Sequence, residues 1–230
     1  MTNRINVLGN GNHAGLFTRG TEGTLLICNM PPMELPPSEV YATCMVDYKM
    51  MQALQKGQFA LDQYDWILGT RPRHYMEMQG GFYMRYAQNI KGFYPHVPAY
   101  AGNATNFSCG HFAVHYACNV MKATEVHIYG FDSIFEMDLT SWTDTILGSD
   151  RSTENTVRLS NNWRPIWPEM FKEFPDIKFY LYHSHDNIKI QIPDNVSIVV
   201  ATSKVENEYK VKGMITGKTT YAVNFSTSQA

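Results

Sequence analysis

Short apolar runs, each stopped by glycine or a small polar residue, alternate along the chain with stretches whose apolar side chains recur every three or four positions. Ile5 to Leu8, Thr24 to Cys28, Ala42 to Val46, Trp66 to Leu68, Glu125 to Tyr129 and Lys178 to Tyr182 are the strand-like runs. Their length and their β-branched and aromatic content suit buried strands. Helical spacing marks Tyr48 to Gln58, where Met50, Met51 and Leu54 share one side, and Gly110 to Lys122. A third helix is expected at about Trp163 to Phe174, with Pro165 and Pro168 near its start, where proline is tolerated. Strand-then-helix repeats predict an α/β three-layer sandwich with a mostly parallel sheet.

The tail reads differently. Lys189 to Ile192, Ser197 to Val200, Glu208 to Met214 and Thr219 to Phe225 are β-prone, with Pro193-Asp194-Asn195 and Gly217-Lys218 between them. No helical pattern separates these runs, so a C-terminal antiparallel β appendage is expected. The resulting division is a nucleotide-binding domain over 1–186 and a β-rich appendage over 187–230, packed on the same domain and offering a surface for homo-oligomer contacts.

Composition narrows the function classes. The chain of 230 residues is 44% hydrophobic and 17% charged, with a formal net charge of −2, which suits a globular core rather than a disordered chain. No run of Lys or Arg exceeds two residues, which argues against a general nucleic-acid grip. Neither a secretory signal nor an apolar stretch long enough to span a membrane is present in the sequence. Cys28, Cys44, Cys109 and Cys118 form no CxxC pair, so reduced thiols in a cytoplasmic protein are expected. The glycosylation-type triplets at Asn103, Asn106, Asn195 and Asn224 carry no weight without a secretory signal.

Four segments could carry chemistry. The first strand ends at Gly9-Asn10-Gly11-Asn12, where glycine allows a tight turn and a close approach of backbone N–H groups to a ligand. Gly9, Gly11 and Gly15 do not fit the dinucleotide GxGxxG spacing, and Asn29 stands where that fingerprint places an acid. Thr105 to His111 leads small polar residues into a helix, so Ser108 either caps the helix or donates to a ligand. Asp132, after Tyr129-Gly130-Phe131, either accepts from ligand hydroxyls and amines or caps the next segment. The fourth segment is His183-Ser184-His185, at a strand end, where an imidazole suits proton transfer. His111 and His115 lie four apart on a helix, but no HExxH accompanies them. GxSxG and GxxxxGK[ST] are both absent, so neither a serine-triad hydrolase nor a P-loop phosphotransferase is expected.

In order, these segments are a strand ending in Gly9-Asn10-Gly11, a second ending in Cys28-Asn29, a helix opened by Ser108-Cys109-Gly110, and a strand ending in Gly130-Phe131-Asp132. The pattern resembles the bacterial sialyltransferase family typified by the Campylobacter lipooligosaccharide enzymes. It is also similar to the Rossmann-like group that includes archaeal 6-hydroxymethylpterin diphosphokinases, and the resemblance spans roughly residues 5 to 185. It implies a Rossmann-like fold and a nucleotide-linked donor such as a CMP-sugar, contacted by Asn10, Gly11, Asn12 and Asn29. Ser108 and Gly110 would sit across the pocket, with Gly9, Cys109 and Phe131 completing its walls.

Catalysis in that family needs no metal and uses a histidine as general base. This chain departs from the pattern. Ser133-Ile134-Phe135 follows the Gly-x-Asp, Asn12-His13 replaces Pro-Ser, and Glu136 to Asn162 contains no histidine. The base would then fall to His185, His183 or His13, none of them matched by a family motif, or to Asp132. A glycosyltransferase-like transferase with no cofactor beyond its nucleotide-sugar substrate is the leading expectation. The alternatives are a Mg²⁺-dependent diphosphokinase using Asp132 and Asp47, and a non-catalytic nucleotide-binding protein.

Overall fold

A computed structural model describes residues 2–136, 141, 143, 147–148 and 161–201, together with the backbone of 159–160, 208–210 and 222–224. Its strands are β1 (Arg4–Leu8), β2 (Thr24–Cys28), β3 (Ala42–Met45), β4 (Trp66–Leu68), β5 (Ile90–Phe93), β6 (Glu125–Tyr129), β7 (Lys178–His183) and β8 (Val196–Val200). They form one sheet in the order β5-β4-β3-β2-β1-β6-β7-β8, and every neighbouring pair is parallel. Central strands of such a sheet are buried on both faces, which requires near-continuous apolar runs. Ile5 to Leu8 and all four residues of β3 are buried accordingly.

The α-helices described over their full length are α1 (Tyr48–Gln55), α2 (Thr70–Met78), α3 (Gly80–Tyr86), α4 (Cys109–Asn119) and α5 (Ile166–Glu173). Phe112 and Val114 of α4 and Phe171 of α5 share a core with Val7, Val126 and Phe179. A second core gathers Met50, Met51 and Leu54 of α1, Tyr75 of α2 and Phe82 of α3 around Leu8, Leu68 and Trp66. The sandwich expected from the alternating pattern is present, and no helix among the described residues is long and apolar enough to cross a membrane.

The expected C-terminal appendage is corrected in part. Ser197 to Val200 does not join an antiparallel unit: β8 adds to the main sheet parallel to β7, with Phe179 opposite Val196 and His183 opposite Val200. Lys189 to Ile192 is not a strand but part of the 184–195 crossover, tied down by the Lys189 N–H to Ile134 carbonyl bond of 2.9 Å. Asn195 fixes the end of that crossover. Its Nδ2 lies 3.0–3.1 Å from the carbonyl oxygens of Phe171, Phe174 and Ile177, which holds β8 to the end of α5. Asn195→Ala is expected to cost about 1–3 kcal/mol, since it strips part-buried carbonyls of their donor; urea unfolding measures it.

Farther along, β9 (Glu208–Lys210) and β10 (Ala222–Asn224) pair antiparallel. The rest of the expected strands at 208–214 and 219–225 falls outside the described residues.

Candidate functional site

The chain builds the sheet outward from β1, to β2 on one side and β6 on the other. In such sheets ligands bind at the carboxyl ends of the strands where the order reverses, here between β1 and β6. The loops leaving these two strands are laced together beyond the sheet: the Gly9 N–H donates to the Tyr129 carbonyl at 2.8 Å and the Gly11 N–H to the Gly130 carbonyl at 2.9 Å. A Cβ on Gly9 would lie 2.5 Å from the Gly130 oxygen, and one on Gly11 would lie 2.7 Å from the Asp132 carboxyl carbon.

These glycines therefore permit loop-to-loop contact. The N–H groups expected to face a ligand donate instead to the end of β6. A short 3-10 turn over Asn12–Leu16 follows the loop, so no α-helix dipole adds to it.

Beside this seam lies a cavity of about 190 Å³. One wall is Gly9, Asn10 and Gly11; another is Phe131, Asp132 and Ser133; a third is the start of α4, Ser108 to His111, with Asn29 adjoining. Helix α4 brings its positive end here, which is where an anion is favoured. Ser108 caps that end: its N–H and hydroxyl lie 3.1 Å and 2.9 Å from the His111 Nδ1, in a capping box. Gly110 has no side chain because the Phe131 ring fills the space that a Cβ would need. Trp167 meets that ring edge-on at 5.5 Å and lines the cavity with Trp163.

The asparagines separate into different jobs. Asn10 lines the cavity but its side chain is engaged: Nδ2 donates to the Met30 carbonyl at 2.6 Å, and Oδ1 accepts from the Thr143 hydroxyl at 2.6 Å. Asn29 adopts a left-handed conformation, with φ of 58°, on the cavity wall. Asn12 lies outside the cavity lining, with its Oδ1 buried and unpaired among the described residues. Cys109 is also on the wall, and its Sγ points away to the Cys44 carbonyl at 2.8 Å. Burial raises its thiol pKa, which disfavours the thiolate a nucleophile would need.

Arg71, which the sequence pattern does not single out, places a cation on the lining and bonds to Asp47. Its signal is the Gly69-Thr70-Arg71 turn after a strand end, visible only once α2 is known to follow.

A second cluster adjoins the first through Asp132. Strand order brings together His13 after β1, Asp132 and Glu136 after β6, and His183, Ser184 and His185 at the end of β7. His13 stacks on His183 at 3.6 Å, and His183 stacks on Phe135 at 4.2 Å. His13 Nδ1 lies 3.1 Å from Asp132 Oδ1, and His13 Nε2 lies 2.8 Å from the Ser184 hydroxyl. Glu136 Oε1 stands 3.4 Å from Nε2 of both His183 and His185. Burial lowers the His13 pKa, but the Asp132 carboxylate more than offsets it, and the net shift is upward. His183 is pushed down to about 4, first by burial and then by the neighbouring His13.

The sequence marks these histidines and Asp132 as separate candidates and gives no sign of Glu136 and Ser184 as their partners. His111 and His115 do not converge on a common point. His111 serves the capping box, while His115 meets the Tyr94 hydroxyl at 2.7 Å and Glu173 at 3.2 Å.

No known protein family, curated protein or solved structure matches the chain.

Proposed function

We propose that the protein binds a nucleotide-linked donor in the cavity between β1 and β6 and transfers the linked group to an acceptor hydroxyl, as a glycosyltransferase does. One observation carries this reading. The segments that hold the resemblance, Gly9 to Gly11, Asn29, Ser108 to Gly110 and Phe131-Asp132, all line the same cavity, although they are scattered over more than half of the chain. Phe131, Trp163 and Trp167 offer flat apolar surface to a base, while Arg71 and the start of α4 favour phosphate. At about 190 Å³ the cavity is smaller than the roughly 300–1,000 Å³ of sites that enclose whole ligands. It suits the nucleoside part, with the transferred group lying outside. Asp132 borders both the cavity and the imidazole cluster, so it stands where an acceptor hydroxyl would lose its proton.

Thermal shift with CMP, UDP, GDP and ADP, alone and sugar-linked, tests the reading. One of them should raise Tm, by the equivalent of about 2.7 kcal/mol at a hundredfold excess over Kd. Arg71→Ala should weaken that ligand about tenfold or more, the usual size for a charge-assisted bond to phosphate. If no nucleotide shifts Tm, the reading fails. Magnesium-dependent ATP turnover would instead favour the diphosphokinase, since Asp47 and Asp132 line the same cavity. Tight binding without transfer to any acceptor would favour a nucleotide-binding protein.

A further inference from the structure

We infer that His13, Asp132 and His183 form a binding site for one divalent transition-metal ion of the zinc class, with Glu136 able to complete it. The ligand atoms of the first three residues all lie within 4.8 Å of one another. His13 Nδ1 and His183 Nε2 are sealed from solvent and make no hydrogen bond of good geometry among the described residues, although carboxylate oxygens of Asp132 and Glu136 stand 3.1 Å and 3.4 Å away, and the His183 side chain is fully buried. Leaving a buried polar atom unpaired costs about 1–3 kcal/mol, and such an atom calls for a functional role, a water or an ion.

The donor set favours an ion over a water. Two imidazoles and the buried Asp132 carboxylate cluster, with Glu136 against His183 on the more open side, and a dication would offset the buried negative charge. The spacings also fit. His13 Nδ1 to Asp132 Oδ1 is 3.1 Å, and His183 Nε2 to Glu136 Oε1 is 3.4 Å. A metal with ligands at about 2.0–2.2 Å has donor-to-donor edges of about 3.0 Å when octahedral and about 3.4 Å when tetrahedral. Mixed nitrogen and oxygen donors select zinc, iron, cobalt or manganese, whereas calcium and magnesium prefer oxygen alone.

The surroundings of the rings agree with this. His13 Nε2 lies 2.8 Å from the Ser184 hydroxyl, so that nitrogen can donate its proton there and leave the Nδ1 lone pair for the ion, the usual support for a metal-bound histidine. His183 would bind through Nε2 and carry its proton on Nδ1. Its 3.4 Å contact with the His185 N–H would then have to lengthen. The inference does not rest on the nucleotide reading, because the ion is measured without nucleotide.

The test uses tag-free full-length protein, stripped with a chelator and titrated with Co²⁺ and, by equilibrium dialysis, with Zn²⁺. About one equivalent per chain is expected, with visible cobalt bands from histidine and carboxylate ligands. His13→Gln and Asp132→Asn should each weaken the ion at least tenfold, with folding verified by circular dichroism. His13 is only part-buried, so its variant keeps the test alive if Asp132→Asn fails to fold. The inference is overturned by zinc stoichiometry near zero with no cobalt spectrum, or by binding that is unchanged in a folded His13→Gln protein. Nucleotide thermal shift on the stripped protein is read separately, so failure of one proposal leaves the other standing.

Discussion

Acidification from about pH 7 to about pH 4 is expected to remove roughly 3 kcal/mol of folding stability through His111 alone. This ring is 1% exposed, packed against Phe107 and Trp167 at centroid distances of 5.8 Å and 4.6 Å. Its Nδ1 accepts the Ser108 N–H at 3.1 Å, and a proton on that nitrogen would set donor against donor and open the cap of α4. Burial pushes its pKa down to about 3. Below about 6.5 the unfolded chain takes up a proton that the folded ring refuses, so stability is full above that pH and falls by about 1.4 kcal/mol per unit down to about pH 3.

Urea unfolding across this range should show a shallower pH slope for His111→Gln, by about one proton. Glutamine at the third helical position preserves the capping box, so the comparison isolates the titration from the cap. Parallel slopes for the two proteins would reject the assignment.

Gly130→Ala is expected to cost about 2–5 kcal/mol and to abolish the proposed nucleotide binding in the cavity. Gly130 has φ of 72°, and an added Cβ would fall 2.8–3.0 Å from the Cβ, N and Cα of Ala14. Two of those atoms are backbone and cannot swing aside. Relief would require parting the β1 and β6 loops, which would break the Gly11 to Gly130 bond and shift Phe131 and Asp132. Gly20 supplies the control. Its φ is 78°, but nothing lies within 4 Å of a Cβ there, so Gly20→Ala should show only the conformational part, about 1–2 kcal/mol. Chemical denaturation of both variants separates the two contributions, and equal losses would show that the loop contact matters little.

Much of the sheet is legible in the sequence because its strands are apolar on both faces and end abruptly at glycine or asparagine. Thr24–Cys28 and Glu125–Tyr129 match their sequence runs residue for residue. Helices α2 and α3 are not legible: Arg71, Pro72, Arg73 and His74 dilute the apolar spacing, and Gly80-Gly81 opens α3 with poor helix formers. Edge strand β5 carries Gly92 and an exposed Lys91, so it lacks the buried signature. In the tail, the β-prone residues of Val196–Val200 could not reveal their pairing direction, which follows from how Asn195 docks on α5.

The site is legible as segments but not as contacts. Gly9 and Gly11 advertise a close approach in sequence, yet only the fold shows that the approaching group is the end of β6. The histidine cluster needs the order β1-β6-β7, which no local pattern encodes. His13 and His183 become neighbours only through it.

The lacing of the Gly9–Gly11 loop to Tyr129 and Gly130 also sets when the cavity can exist. Its two sides come from opposite ends of a long stretch of chain, and neither is held in place until β6 has docked beside β1. An N-terminal portion ending before β6 would contain Asn29, Arg71 and the start of α4 and still offer no pocket. If the proposed ligand binds there, its binding to the growing chain would therefore report that the sheet has closed on β6.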